Sequence, residues 1–247
     1  MRAAFLLGLI LAQLLWWDIL DKVRIAVSWN WARSCVDREM PHRATRLFAL
    51  ARFTVGLVFR PELMVDEIPD RFVVLSNHQS VIDIVAIMAA FRRRSVRFVA
   101  KRELRHWFPA VSRVLRIQRH ALISRHGDFS LAMKEIESLG RTLRHREGAV
   151  IFPEGTRSRD GVVRTFHSGA VRRLLTARPL PVVVVAVDGG WNVAGLADLG
   201  RMDRGHRFRL RVLKVLPPAS EKRELVQQIA TAQQLIEDTL AQWRGAE

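Results

Sequence analysis

A chain of 247 residues with 49% apolar residues suits one domain of ordinary size with a real core, and excludes a disordered or fibrous protein. The single cysteine, Cys35, excludes an intrachain disulfide framework and a cysteine-built metal cluster. A net charge of +16, from 40 basic and 24 acidic residues, calls for a polyanionic partner: nucleic acid, an anionic membrane surface, or a phosphorylated substrate or carrier.

Ala3 to Trp17 is a fifteen-residue apolar run broken only by Gln13, followed by Asp18, Asp21, Lys22 and Arg24. As a helix it spans about 22 Å, short of the roughly 30 Å hydrocarbon core. Arg2 and the run imitate the first regions of a signal peptide, but two tryptophans and an aspartate stand where a small-residue cleavage site belongs. The expected element is a helix lodged in or lying along one leaflet. Four of the seven tryptophans fall in the first 31 residues, where they suit a membrane interface better than a nucleic-acid groove. His42 to Phe59 reads as a second helix that mixes apolar residues with Arg43, Arg46 and Arg52. It suits either a bilayer surface or packing on its own domain.

The stretch from Val73 to Asp83 carries a histidine and an aspartate five positions apart, His78 and Asp83. On one helix that spacing separates them by about 140°, and on one strand it puts them on opposite faces. They meet only if the chain changes state between them. Arg71 to Ser76 reads as a buried strand, Asn77, His78 and Ser80 as a turn or cap, and Val81 to Phe91 as a helix. Asp83 in the first helical turn would then hold the His78 imidazole in one tautomer and make it a general base. Ser80 with Asp83 also forms a capping box that could exist for helix stability alone.

Arg92 to Arg125 holds eleven Lys or Arg residues and one acid, Glu103, a stripe on which an anionic ligand or lipid headgroups can dock. Within it, 95–100 reads as a strand, 101–115 as a helix broken near Pro109, and 119–124 as another strand. A helix over 128–146 and a strand over 149–152 follow. Next comes Phe152-Pro-Glu-Gly-Thr-Arg-Ser158. Gly155 lets the backbone turn and approach a ligand. Thr156, Arg157 and Ser158 offer donors for phosphate oxygens, and Glu154 can accept from a hydroxyl or brace Arg157. The same loop also reads as a polar turn with a surface Glu–Arg pair. A helix over 169–178, a valine-rich buried strand over 181–187, a half-exposed strand over 207–216 and a last amphipathic helix with Leu225, Ile229, Ala232, Ile236, Leu240 and Trp243 complete the chain. Strands alternating with helices give an α/β fold: a mixed, largely parallel sheet flanked by helices, behind an N-terminal helical membrane anchor. The division is an anchor over residues 1–62 and an α/β domain over 63–247.

Asn77-His78-x4-Asp83 followed by Phe152-Pro-Glu-Gly-Thr-Arg-Ser158 resembles the glycerolipid acyltransferases typified by 1-acylglycerol-3-phosphate acyltransferase, over roughly residues 65 to 190. The resemblance implies that His78 and Asp83 form a catalytic dyad and that Glu154, Gly155, Thr156, Arg157 and Ser158 bind the acceptor's glycerol phosphate. Lys101-Arg102-Glu103-Leu104 and Ile123-Ser124-Arg125 match two further family segments, which would add Lys101 and Arg125 around the phosphate. The chain departs from the family pattern at Ser124, His167 and Val184, where Asp, Lys and Pro are common.

The expected activity moves a fatty acyl group from an acyl thioester to the free hydroxyl of a lysophospholipid, most simply 1-acylglycerol-3-phosphate, giving phosphatidate. Acyl-CoA or acyl carrier protein is the co-substrate; no other cofactor and no metal is expected. The expected partners are anionic membrane lipids at the cytoplasmic face. Nucleic acid is not expected, since none of the recognised basic signatures is present. Another lysolipid acceptor, such as lysophosphatidylglycerol or a lyso-aminolipid, and a non-catalytic basic membrane-binding protein are the alternatives.

Overall fold

The computed structural model describes residues 2–103, 111–124, 129–193, 198 and 205–245, apart from the side chain of Lys101. Helices α1 (Arg2–Val27) and α2 (Trp29–Val55) form an antiparallel pair, followed by β1 (Val58–Leu63), β2 (Arg71–Ser76), α3 (Val81–Ala90) and β3 (Ser95–Lys101). Then come α4 (Val111–Ile117), β4 (Ala121–Ile123), α5 (Phe129–Thr142) and β5 (Glu147–Ile151). The chain closes with α6 (Ser168–Ala177), β6 (Val182–Asp188), β7 (Arg207–Leu216) and α7 (Lys222–Gly245).

The strands make one seven-stranded sheet in the order β1-β7-β6-β2-β5-β3-β4. Strands β2 to β6 are parallel to one another, and β7 turns antiparallel against β6. The mixed, largely parallel sheet expected from the sequence is the one observed. Alternate residues of the strands feed two cores. Phe72 and Val74 face Ala86, Ile87 and Phe91 of α3 and its cap, with Ala44, Phe48 and Ala51 of α2. Val73 and Leu75 face Ile136 and Leu139 of α5, Leu174 of α6, and Ile229, Ile236 and Trp243 of α7. Both faces of β2 and β6 are therefore dry, which explains their unbroken apolar runs.

The N-terminal region differs from its sequence reading in two ways. Helix α1 is 26 residues long, about 39 Å, because the charged turn after Trp17 continues it. Asp21 is wholly buried and accepts two bonds from Arg43 at 2.6 and 2.7 Å; Glu39 accepts from Arg24 at 2.6 and 2.8 Å and from Arg43 at 2.9 Å. Asp18 adds a bond from Arg113 of α4 at 2.8 Å. These residues are the buried seam between α1, α2 and the domain. Phe5, Leu11, Leu15, Trp16, Ile19 and Val23 stay exposed on α1. Among the described residues α1 is the one helix long and apolar enough to cross a membrane; by length and exposed surface it can anchor the chain to a bilayer.

Secondly, Val58 and Phe59 are strand, not helix. Gly56 takes φ 76° and caps α2 by donating to Arg52 O, and Leu57 donates to Ala51 O. The left-handed cap ends the helix and turns the chain into β1, an edge strand paired with β7. Pro61 is tolerated there because an edge strand leaves one row of N–H groups unpaired. In turn, α2 is capped by Ser28 and starts at Trp29, far before His42, and runs through Pro41.

Candidate active site

Parallel β2 lies between β5 and β6, so its C-terminal end opens where loops of an α/β sheet collect ligands. After Ser76 the chain leaves the ladder, and the buried Asn77 side chain takes over its bonding. Asn77 Nδ2 donates to Val187 O at 2.9 Å, and Val187 N donates to Asn77 Oδ1 at 2.9 Å. Gln79 does the same one step on: its Nε2 donates to Asp188 Oδ1 and its Oε1 accepts from Gly190 N, both at 3.0 Å. The turn is thus pinned on both sides of His78.

Ser80 caps α3, accepting from Ile82 N at 3.2 Å, while Ser80 N donates to Asp83 Oδ2 at 2.8 Å. The capping box and the His–Asp pair are the same structure. The carboxylate that caps the helix also accepts from Gln79 N at 2.6 Å and lies 2.7 Å from His78 Nδ1. Asp83 is fully buried and His78 only part-buried, so the carboxylate is fixed and the ring reaches the surface. With the Nδ1 proton turned to Asp83, Nε2 keeps its lone pair. The imidazole stacks on Phe152 at 4.0 Å and 13°.

Phe152 stands at the head of the second motif, and that motif grips His78 by its backbone. His78 N donates to Glu154 Oε1 at 2.7 Å, and Ser158 N donates to His78 O at 2.8 Å. Glu154 Oε2 accepts from Arg164 N at 2.9 Å. Ser158 Oγ donates to Asp160 Oδ1 at 2.9 Å. Glu154 and Ser158 are buried and spend these groups on holding the loop. Gly155, at φ +68°, Thr156 and Arg157 are exposed beside them. Burial pushes the Glu154 carboxyl up to about 7, against the lowering by the N–H groups of Arg164 and His78.

Lys101 ends β3 on the same side of the sheet, as its backbone pairing with Ile123 shows; Arg125 lies outside the described residues. Sequence reasoning placed Asn77 in the turn but not its partner Val187, and gave Gln79, Phe152, Asp188 and Arg244 no supporting role. Arg244 in the last turn of α7 donates to Asp188 at 2.7 and 3.1 Å, linking the chain's final helix to the Gln79 anchor. The signal available was a polar Ser-Asn-His-Gln-Ser run closing an all-apolar strand, where buried polar groups need partners.

The structure thus brings a His–Asp pair at a strand end of a mixed α/β sheet into direct contact with a Glu-Gly-Thr-Arg loop. The family model Acyltransferase matches residues 64–188, half of the chain, and the protein belongs to that family. It is 32% identical over 120 residues to the 1-acyl-sn-glycerol-3-phosphate acyltransferase of Cocos nucifera, covering 48% of this chain and 38% of that one. Against the 1-acyl-sn-glycerol-3-phosphate acyltransferase of Limnanthes douglasii it is 29% identical over 176 residues, covering 68% and 57%. Against the human 1-acyl-sn-glycerol-3-phosphate acyltransferase beta it is 35% identical over 114 residues, covering 46% and 40%. The chain thus matches between 38% and 57% of the length of these relatives. The 1-acyl-sn-glycerophosphate (LPA) acyltransferase PlsC of Thermotoga maritima shares the fold, with a TM-score of 0.69 at 21% identity over 99% of this chain and 98% of that one.

Proposed function

We propose that the chain is an O-acyltransferase that moves a fatty acyl group from acyl-CoA or acyl carrier protein to the free hydroxyl of 1-acylglycerol-3-phosphate, giving phosphatidate. The observation that carries this reading is the 2.7 Å pairing of His78 Nδ1 with Asp83 on a turn bonded directly to the Glu154–Ser158 loop. The relatives' names favour this acceptor among lysolipids.

His78 Nε2 takes the proton of the acceptor hydroxyl as its oxygen attacks the thioester carbonyl carbon. Asp83 remains a carboxylate and stabilises the imidazolium. The tetrahedral intermediate collapses with loss of the C–S bond, and the leaving thiolate recovers the proton from His78. An ester and a thiol result, with no net change in the enzyme. Thr156 and Arg157, exposed beside the histidine turn, meet the acceptor's phosphate, with Lys101 and Arg125 as further cations. Glu154, Gly155 and Ser158 shape that loop. Metal and further cofactors have no step in this scheme.

The anchor reading is a helical pair lying in one leaflet at the cytoplasmic face. It is supported by the placement of Asp18 and Asp21 in the protein seam while the apolar side chains of α1 stay exposed. The test is product identification: the purified chain in mixed vesicles receives a panel of lysolipids with acyl-CoA or acyl carrier protein as donor. Phosphatidate from lysophosphatidate as the dominant product supports the reading. Acylation of lysophosphatidylglycerol or a lyso-aminolipid instead reassigns the acceptor. No acylation with either donor rejects the enzyme.

A further inference from the structure

A cavity of about 710 Å³ opens at the other end of the parallel strands, where α2 crosses the entries to β3 and β5. Six arginines line it: Arg38 from α2, Arg92, Arg93 and Arg94 before β3, and Arg144 and Arg146 before β5. Its two acids, Asp37 and Glu147, are already committed. Glu147 pairs with the wholly buried Arg97 and lies 3.4 Å from Arg33; Asp37 lies 3.6 Å from Arg33 and accepts from Gln118 at 2.8 Å. The floor is therefore neutral, and among the described residues Asp70, beside Arg94 and His145, is the one acid paired with the rim. Arg94 has its own partners, Ile68 O at 2.7 Å and Asp70 at 3.7 Å. No hydrogen bond or ion pair among the described residues engages the guanidinium groups of Arg38, Arg92, Arg93, Arg144 and Arg146.

Arg146 adds a second, independent observation. It sits at φ 61°, one of two non-glycine residues with positive φ among the described residues, in a turn pinned by Ser95 N donating to its carbonyl at 2.9 Å. A left-handed arginine is strained where glycine would be relaxed. An arginine is kept at this position despite that cost, and it lines the arginine-walled cavity.

We infer that this cavity is a second anion site, taking a phosphate-bearing ligand by guanidinium forks, separate from the acceptor site beside His78. Arginine forks match phosphate oxygens in pairs, and the cavity has room for more than one phosphate group. It goes beyond the proposed transfer reaction: the five-residue β5 alone separates the two ends of the sheet by about 16 Å, so this phosphate is not the acceptor's. The same chemistry could come from a membrane phospholipid headgroup or a soluble phosphate compound. The exposed Trp29 and Trp31 precede the cavity-lining Ser34 by about one turn of α2, and exposed tryptophans beside an opening suit a bilayer interface as its setting.

The test uses the full chain, its Arg92→Gln/Arg93→Gln and Arg146→Gly variants, and a Lys222→Gln/Arg223→Gln control that removes equal charge from the exposed start of α7. Binding is measured to pyrophosphate by calorimetry, and by flotation to vesicles of phosphatidylcholine with or without phosphatidylglycerol. Affinity should fall at least tenfold in both cavity variants and little in the control, while Arg146→Gly unfolds at the same temperature as wild type or higher. Loss confined to phosphatidylglycerol vesicles names the headgroup as source; loss confined to pyrophosphate names a soluble ligand. Equal weakening in cavity and control variants, or no anion binding by the wild type, overturns the site. Should the double variant not fold, Arg146→Gly decides alone.

Discussion

Asp83 performs two tasks with one oxygen. Its Oδ2 caps α3 through Ser80 N and Gln79 N and faces the His78 ring, so a substitution that keeps shape but not charge tests both. Asp83→Asn retains a carbonyl acceptor but loses the charge that supports an imidazolium. The expected outcome is a fall in kcat of about 10²–10⁴-fold with a near-wild-type circular dichroism spectrum. Gly190 guards the same place: a Cβ there would stand 2.9 Å from Ser80 Cβ and 3.2 Å from Asp83 Oδ1. Gly190→Ala should cost about 1–3 kcal/mol through overpacking and lower turnover, read by urea unfolding and initial rates. Glu154 gives a pH signature. Its folded carboxyl lies at about 7 against an ordinary 4.5, so the folded chain holds this proton more tightly than the unfolded chain. That stability is complete below about pH 4.5 and is lost as pH rises through about 7. Glu154→Gln cannot ionise, so its stability relative to wild type should rise between about pH 5 and pH 8; parallel unfolding midpoints would refute this. His78, Asp83 and the loop were legible because their residue types are distinctive. The spending of Glu154 and Ser158 on the backbone of His78 was not, because backbone partners leave no trace in a motif.

At the scale of elements, periodicity carried the sequence reading well where helices are amphipathic and strands are buried. The stripe of α7 from Leu225 to Trp243 and the valine run of β6 are both found as read. It failed where polar side chains are buried for pairing. The charged turn after Trp17 read as the end of the first helix and Arg43 as a residue of a second helix starting at His42, yet Asp21, Arg24, Glu39 and Arg43 make the seam that joins the two helices. Arg24 and Arg43 hold the Glu39 carboxyl below its ordinary range even though burial alone would raise it. Asp21→Asn would leave the buried Arg43 guanidinium with Glu39 as its remaining carboxylate and should cost about 1–3 kcal/mol. Limited proteolysis checks this independently of two-state unfolding: α1 should be released from the variant faster than from wild type, and equal rates would contradict the seam. A second failure was β1, where apolar Val58 and Phe59 continued a helical pattern that Gly56 had already ended.

For the whole molecule, parallel strands sort chemistry by end. The His78 turn, the Glu154–Ser158 loop and the close of β3 share the C-terminal edge, while the arginine cavity occupies the opposite edge, under α2. Helix α2 spans both regions, since it packs on α3 behind the histidine turn and lines the cavity. On the two proposals, part of the net charge of +16 serves two anionic encounters at opposite ends of the sheet. Everything proposed about activity depends on His78 acting as the base. The direct measurement is kcat for acyl transfer to lysophosphatidate by His78→Ala, in vesicles, with the fold checked by circular dichroism. A fall of at least about 10²-fold at unchanged fold is expected; turnover within a few-fold of wild type would contradict the account.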